Sequence, residues 1–195
     1  IPGVNPVPAL RDDSVGMSPA QAQRFAERWR VAAPQFNHPS GLSATVFEEV
    51  STGKRYLAIR GTASSDPGDI TADLGILLHG VPSLSSQYQA LRERVFEWQL
   101  DGTLPGTVAV SGHSLGGWLA AGLLSEFGAT IERAYLYNAP GVSGESEIAS
   151  LMTRALGISA WSGDPAKVSN LRAAAGSSLI AGIGIPVSAP IAIEI

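Results

Sequence analysis

Ser114 stands in Gly112-His113-Ser114-Leu115-Gly116, between the apolar run Val108-Ala109-Val110 and a stretch rich in Ala and Leu. Strand, serine, helix is the order that a serine nucleophile on a sharp strand-to-helix bend requires. The bend strains the serine backbone and brings strand and helix so close that the residues two before and two after must lack bulk. Both are glycine here. The bend also puts the serine at a helix N-terminus, where unpaired N–H groups stabilise developing negative charge. The competing reading is a glycine-rich turn that carries a serine by chance. His113 is adjacent in sequence, but on such a bend its side chain points away from that of the serine, so it reads as structural.

Acyl transfer at such a serine needs two donors aimed at the developing oxyanion. One is the backbone N–H of Leu115, supplied by the bend itself. Arg60-Gly61-Thr62 closes the apolar run at residues 56–59, where a second donor loop belongs, and Thr62 could give its N–H and its hydroxyl. An ordinary strand-terminating turn fits that position equally well.

The elements needed to position these groups alternate along the chain. Residues 1–17, with Pro2, Pro6, Pro8 and Arg11-Asp12-Asp13, read as an extended arm. Ser18-Pro19 is an N-cap followed by proline in the first turn. Ala22, Phe25, Ala26 and Trp29 share a helical face, so a helix is expected to about Val31. Residues 42–50 and 55–60 read as paired strands around a turn at Ser51-Thr52-Gly53-Lys54. Residues 70–78 are apolar and undecided between strand and helix. Leu84, Tyr88, Leu91, Val95 and Trp98 recur at helical spacing, and Asp101-Gly102 ends that helix.

Beyond it, residues 107–110 read as a strand, 115–127 as a helix and 131–137 as a strand ending in Asn138-Ala139-Pro140. Residues 145–156 are expected to be helical and 158–161 a further strand. The tail over residues 173–195 is apolar and rich in Gly, Ser and Pro, with no clear helix. Alternating strands and helices imply an α/β fold, with a mostly parallel central sheet covered on both faces. The 195 residues fit one such domain or its N-terminal major part.

Composition agrees with a packed core: 45% of residues are apolar and 15% charged. The net charge of −4 gives no footprint for nucleic acid or an anionic membrane surface. Cysteine is absent, which removes disulfides, thiolate catalysis and cysteine-bound metal. No apolar run reaches the roughly 18 residues of a membrane-spanning helix. Compartment is left open between secreted and intracellular. No cofactor or metal is expected. Asp12-Asp13, or Asp66 with Asp69, could hold calcium but read better as solvated loop carboxylates. Gly182-Ile183-Gly184 lacks the Lys-Ser/Thr of a phosphate loop. Trp118 and Trp161 read as packing residues.

Several of these motifs together resemble the class 3 lipases, the fungal triacylglycerol lipases and their bacterial relatives within the α/β-hydrolases. Gly112-His113-Ser114-Leu115-Gly116-Gly117 matches the family's elbow residue for residue. Arg60-Gly61-Thr62 looks like the strand end whose last residue builds the oxyanion hole, which implies that role for Thr62. The segment 69–74 and Tyr137-Asn138-Ala139-Pro140 resemble stretches that follow the oxyanion strand and the nucleophile helix. Gly163-Asp164-Pro165 followed by Val168 looks like the family's Gly-Asp-Pro-Val, with Ala166-Lys167 inserted. The resemblance spans about residues 18–171 and implies that Asp164 is the acid of a Ser-His-acid triad. An acid downstream of the serine would orient a histidine and stabilise its imidazolium. A turn aspartate in Gly-Asp-Pro is the plainer alternative. Asp66, Asp69 and Asp73 precede the serine and would break the chain order serine, acid, histidine.

The chain holds three histidines, His38, His79 and His113, and none follows Asp164. Without a base the hydroxyl of Ser114 attacks an ester slowly at neutral pH. The histidine is expected on a C-terminal segment or a second chain. The alternatives are that His79 is recruited, or that the domain is a catalytically silent binding or assembly relative. The resemblance also implies a lid over residues 70–84, which could equally be a packed core element. The expected activity is hydrolysis of carboxylic esters, of lipids or other acyl groups, through an acyl-enzyme, with lipase, phospholipase and short-chain esterase not separated.

Overall fold

Ser18 opens the first helix, α1 (Pro19–Arg28), with a reciprocal cap. Its hydroxyl accepts from the Gln21 N–H, and the Gln21 side chain accepts from the Ser18 N–H at 2.9 Å. The molecule is a computed structural model that describes residues 17–60, 81–142, 154–157, 160–175, 181 and 184–194. Helix α1 stops at Arg28, short of the Val31 that periodicity predicts, because Trp29–Val31 pair as strand β1 against a later strand. The Trp29 ring meets Tyr56 edge-on at 4.6 Å, a cross-strand contact that outweighs the local helical preference.

Strands β2 (Phe36–Asn37), β3 (Ser43–Glu49) and β4 (Arg55–Arg60) follow, then helix α2 (Val81–Leu100), β5 (Val108–His113), helix α3 (Leu115–Glu126), β6 (Ile131–Tyr137), β7 (Val168–Ala173) and β8 (Pro190–Ile193). The sheet order is β1-β3-β4-β5-β6-β7-β8, with β2 beside β3. The first strands pair antiparallel, and β4 through β8 are parallel. This is the α/β architecture expected from the sequence.

Strand alternation sorts the two faces. Val46, Leu57, Val110, Ala134 and Val168 form one cross-strand row, and Ala44, Ile59, Gly112 and Leu136 form the next. These rows join the buried core with Tyr88, Leu91, Val95 and Trp98 of α2 and Leu115, Trp118 and Leu119 of α3. The opposite face carries Phe47, against which Phe25 of α1 packs edge-on at 5.4 Å, so helices cover both faces. Residues 115–124 of α3 are all buried, which explains their apolar composition.

Two expectations differ from the structure. Ala160 and Trp161 are not in a strand; the Trp161 indole N–H donates to the Ala121 carbonyl at 2.9 Å, fastening that segment along α3. The next strand is β7 instead. The apolar tail also supplies β8, whose Pro-Ile-Ala-Ile is too short for periodicity to distinguish. Residues 1–16 of the expected arm, the oxyanion loop with residues 70–80 of the expected lid, and most of the helix at residues 145–156 lie outside the described residues, whereas residues 81–84 belong to α2.

Candidate active site

The residues of β5 run Val-Ala-Val-Ser-Gly-His, and the chain then reverses at Ser114 directly into α3. Ser114 has φ 53° and ψ −125°, a conformation that an L-residue adopts only under strain. The close approach behind that strain is visible at the flanking glycines. A methyl group on Gly112 would sit 2.2 Å from the Gly116 carbonyl carbon, and one on Gly117 would sit 2.6 Å from the Ala139 Cβ. The spacing rule read from the sequence is therefore met by direct backbone contact.

The Ser114 hydroxyl is half-buried, does not cap the helix, and makes no hydrogen bond among the described residues. Its carbonyl accepts from the N–H groups of Gly117 at 3.0 Å and Trp118 at 3.3 Å. Leu115, as the first helical residue, has no intrahelical acceptor for its own N–H. The N–H of Leu115 and the start of α3 thus follow Ser114 directly in the chain. Trp118 itself is fully buried, consistent with its reading as a packing residue.

Around this point stand His113, exposed, and Tyr137, its cross-strand neighbour on β6. Partial burial pushes the Tyr137 phenol above its ordinary value, with Tyr135 adding to the effect, so it stays protonated. His38 lies between β2 and β3, near the end of β4. Its Nδ1 is engaged by the Ser40 hydroxyl at 2.8 Å and the Ser40 N–H at 3.2 Å. Neither histidine makes a hydrogen bond to Ser114. Thr62 and His79 lie outside the described residues, as do Asp66, Asp69 and Asp73.

Asp164 is placed away from Ser114. It precedes β7, and its carboxylate accepts from the Ala166 N–H at 2.9 Å as the N-cap of a single 3-10 turn, Pro165–Lys167. Strand β7 runs parallel to β5 and β6, with Tyr137 opposite Leu171. Ser114 follows the C-terminal end of β5, whereas Asp164 sits before the N-terminal end of β7. With His113 level with Tyr137 and Leu171, about four residue steps of 3.3 Å put the start of β7, which Asp164 precedes, roughly 13 Å from the level of Ser114 along the strand direction. Lys167 strengthens the structural role by donating to the Gly128 and Ile131 carbonyls at 2.6 and 2.9 Å. Gly-Asp-Pro here is the turn that launches β7. Among the described residues, Glu194, exposed and directly after β8, is the carboxylate that shares Ser114's edge of the sheet, three strands from β5.

Sequence reasoning did not single out Asn138 beyond its place in the strand-ending motif. It is the other described non-glycine residue with positive φ, 45°, and its carboxamide oxygen accepts from the Ala173 N–H at 3.0 Å. The signal available was an Asn directly after an apolar strand, a residue type that tolerates this conformation. Among the described residues no group of three or more His, Cys, Asp or Glu could hold a metal ion, and no helix is long and apolar enough to cross a membrane.

No protein-family model matches the chain, and no curated protein does. Solved structures similar to it include the Lip2 lipase of Yarrowia lipolytica, at 19% identity and TM-score 0.49, over 78% of this chain and 60% of that one. A lipase from Rhizopus microsporus var. chinensis aligns at 16% identity and TM-score 0.46, over 79% and 55%. Lipase II from Rhizopus niveus aligns at 18% identity and TM-score 0.46, over 86% and 63%. The chain thus spans less than two thirds of the length of these lipases. At such identities and TM-scores the likeness assigns neither a residue role nor an activity to this chain.

Proposed function

We propose that this chain carries the nucleophile half of a serine carboxylic-ester hydrolase acting on lipid or other acyl esters. The observation that carries the reading is Ser114 itself: an uncapped hydroxyl on a strained turn, at the N-terminus of a buried helix, with the Leu115 N–H beside it. In this reading Ser114 Oγ attacks the ester carbonyl while its proton passes to a histidine. The tetrahedral oxyanion is held by the Leu115 N–H and by Thr62. Collapse expels the alcohol, which takes the proton from the imidazolium, and leaves an acyl-enzyme that water then hydrolyses.

The base is His79 or a histidine on a C-terminal segment or second chain, since neither His38 nor His113 is bonded to the nucleophile. The acid of the triad is left unassigned in this reading: Asp164 caps a turn before the N-terminal end of β7, and the substitution Asp164→Ala tests it. Turnover of p-nitrophenyl esters of graded acyl length tests the proposal. Activity that disappears in Ser114→Ala supports it. Equal rates for wild type and Ser114→Ala overturn it.

A further inference from the structure

Ser114 and Asn138, the two described non-glycine residues with positive φ, are joined through a single peptide group. The carbonyl of Tyr137 accepts from the Ser114 N–H at 2.9 Å. The N–H on the other end of that peptide, from Asn138, donates to the Leu171 carbonyl at 2.9 Å. The Asn138 carboxamide oxygen then accepts from the Ala173 N–H at 3.0 Å, and the next residue, Ala174, donates to the Ile193 carbonyl at 2.8 Å. These four bonds run across the C-terminal edge of the sheet, from the nucleophile on β5 through β6 and β7 to the last residue of β8.

One bond in this line comes from a side chain. The left-handed turn at Asn138 carries the chain out of β6, so that the backbone of the next residues no longer follows β7. The partly buried Ala173 N–H would then lose its acceptor. Asn fills both requirements, because it tolerates φ of 45° and bears an oxygen at the right reach. Glycine meets only the first, and alanine neither.

From this geometry we infer that Asn138 is a positioning residue for Ser114: its side chain fixes the Tyr137–Asn138 peptide against β7 and thereby holds the nucleophile in register with the β7 and β8 exits. This rests on the reading of Ser114 as a hydrolase nucleophile. The consequence is kinetic, since a small displacement of a nucleophile costs rate out of proportion to the movement.

The test is the rate of covalent labelling of Ser114 by a fluorophosphonate in wild type, Asn138→Gly and Asn138→Asp of the full chain, with melting temperature measured alongside. Asn138→Gly keeps the backbone conformation and loses the acceptor; it is expected to label about tenfold more slowly. Asn138→Asp keeps an acceptor oxygen and is expected to stay within about threefold of wild type. An Asn138→Gly chain that labels as fast as wild type overturns the inference. So does a slowing that tracks loss of melting temperature equally in both variants, since that marks a structural role alone. If wild type itself does not label, the hydrolase reading fails first and the inference falls with it.

Discussion

Gly112 and Gly116 touch through their backbones: a methyl group on Gly112 would lie 2.2 Å from both the carbonyl carbon and the carbonyl oxygen of Gly116. The obstacle is main chain on both sides, so no rotamer change relieves it. Gly112→Ala must pry β5 from α3 or abandon the turn, and a cost of about 3 kcal/mol or more is expected from overpacking at a backbone contact. Chemical denaturation measures it. Gly53→Ala is the contrasting variant, with open space around the added methyl and only the strain of φ 69°, so a loss of about 1 kcal/mol is expected there.

Asp164 is the second point where a substitution separates roles. As the N-cap of the turn before β7, its loss in Asp164→Ala should cost about 1 kcal/mol of stability. The rate of labelling at Ser114 should be unchanged, because roughly 13 Å of strand separates the level of Ser114 from the start of β7. A labelling rate that falls a hundredfold or more in Asp164→Ala, with folding retained, would restore Asp164 to the triad.

Legibility of the sequence followed how local each determinant is. The β5-turn-α3 unit could be read because its constraints, two glycines and the strand and helix around a serine, lie within a few consecutive residues. Strands β4 and β6 match their expected bounds, residues 55–60 and 131–137, because one begins directly after a strong turn and the other ends shortly before Pro140. Trp29–Val31 were misassigned because the Trp29–Tyr56 contact depends on a partner distant in sequence. The position of Asp164 was not legible for a related reason. Gly-Asp-Pro specifies a turn but not the end of the strand at which that turn sits, and strand direction relative to β5 is set only by pairing with β6. Asn138 was passed over because its function as an acceptor needs Ala173 beside it.

Glu48 near the end of β3 is a buried carboxylate bonded to Arg30 of β1 and, at 2.6 Å, to Arg55 of β4, so it ties three strands together. Removing a buried ionic partner leaves the remaining charges uncompensated. Glu48→Ala leaves Arg30 mostly in solvent and Arg55 partly so, and is expected to lose about 1 to 2 kcal/mol, whereas Lys54→Ala, which breaks the half-exposed Lys54–Glu132 pair, should change stability by less than about 1 kcal/mol. Urea midpoints of the two variants check the contrast.

Glu49 provides a pH-dependent prediction. The Thr52 hydroxyl at 2.6 Å, and then Arg28, hold its carboxyl below the ordinary 4.5. The unfolded chain therefore takes up the proton first as pH falls. The contribution is fully present above about pH 4.5 and fades as pH drops through the lower folded value. Thr52→Ala should move the Glu49 titration midpoint upward in an NMR titration. Its stability deficit relative to wild type should be larger at about pH 6 than at about pH 3.

Whether Ser114 is an activated nucleophile is read by covalent labelling with a fluorophosphonate, the modified residue being located by peptide mass spectrometry. Phosphonylation is expected at Ser114 in wild type and at no residue in Ser114→Ala. A wild-type chain that stays unmodified, including when candidate histidine-bearing C-terminal segments are supplied, or a label found on a different residue, would contradict it.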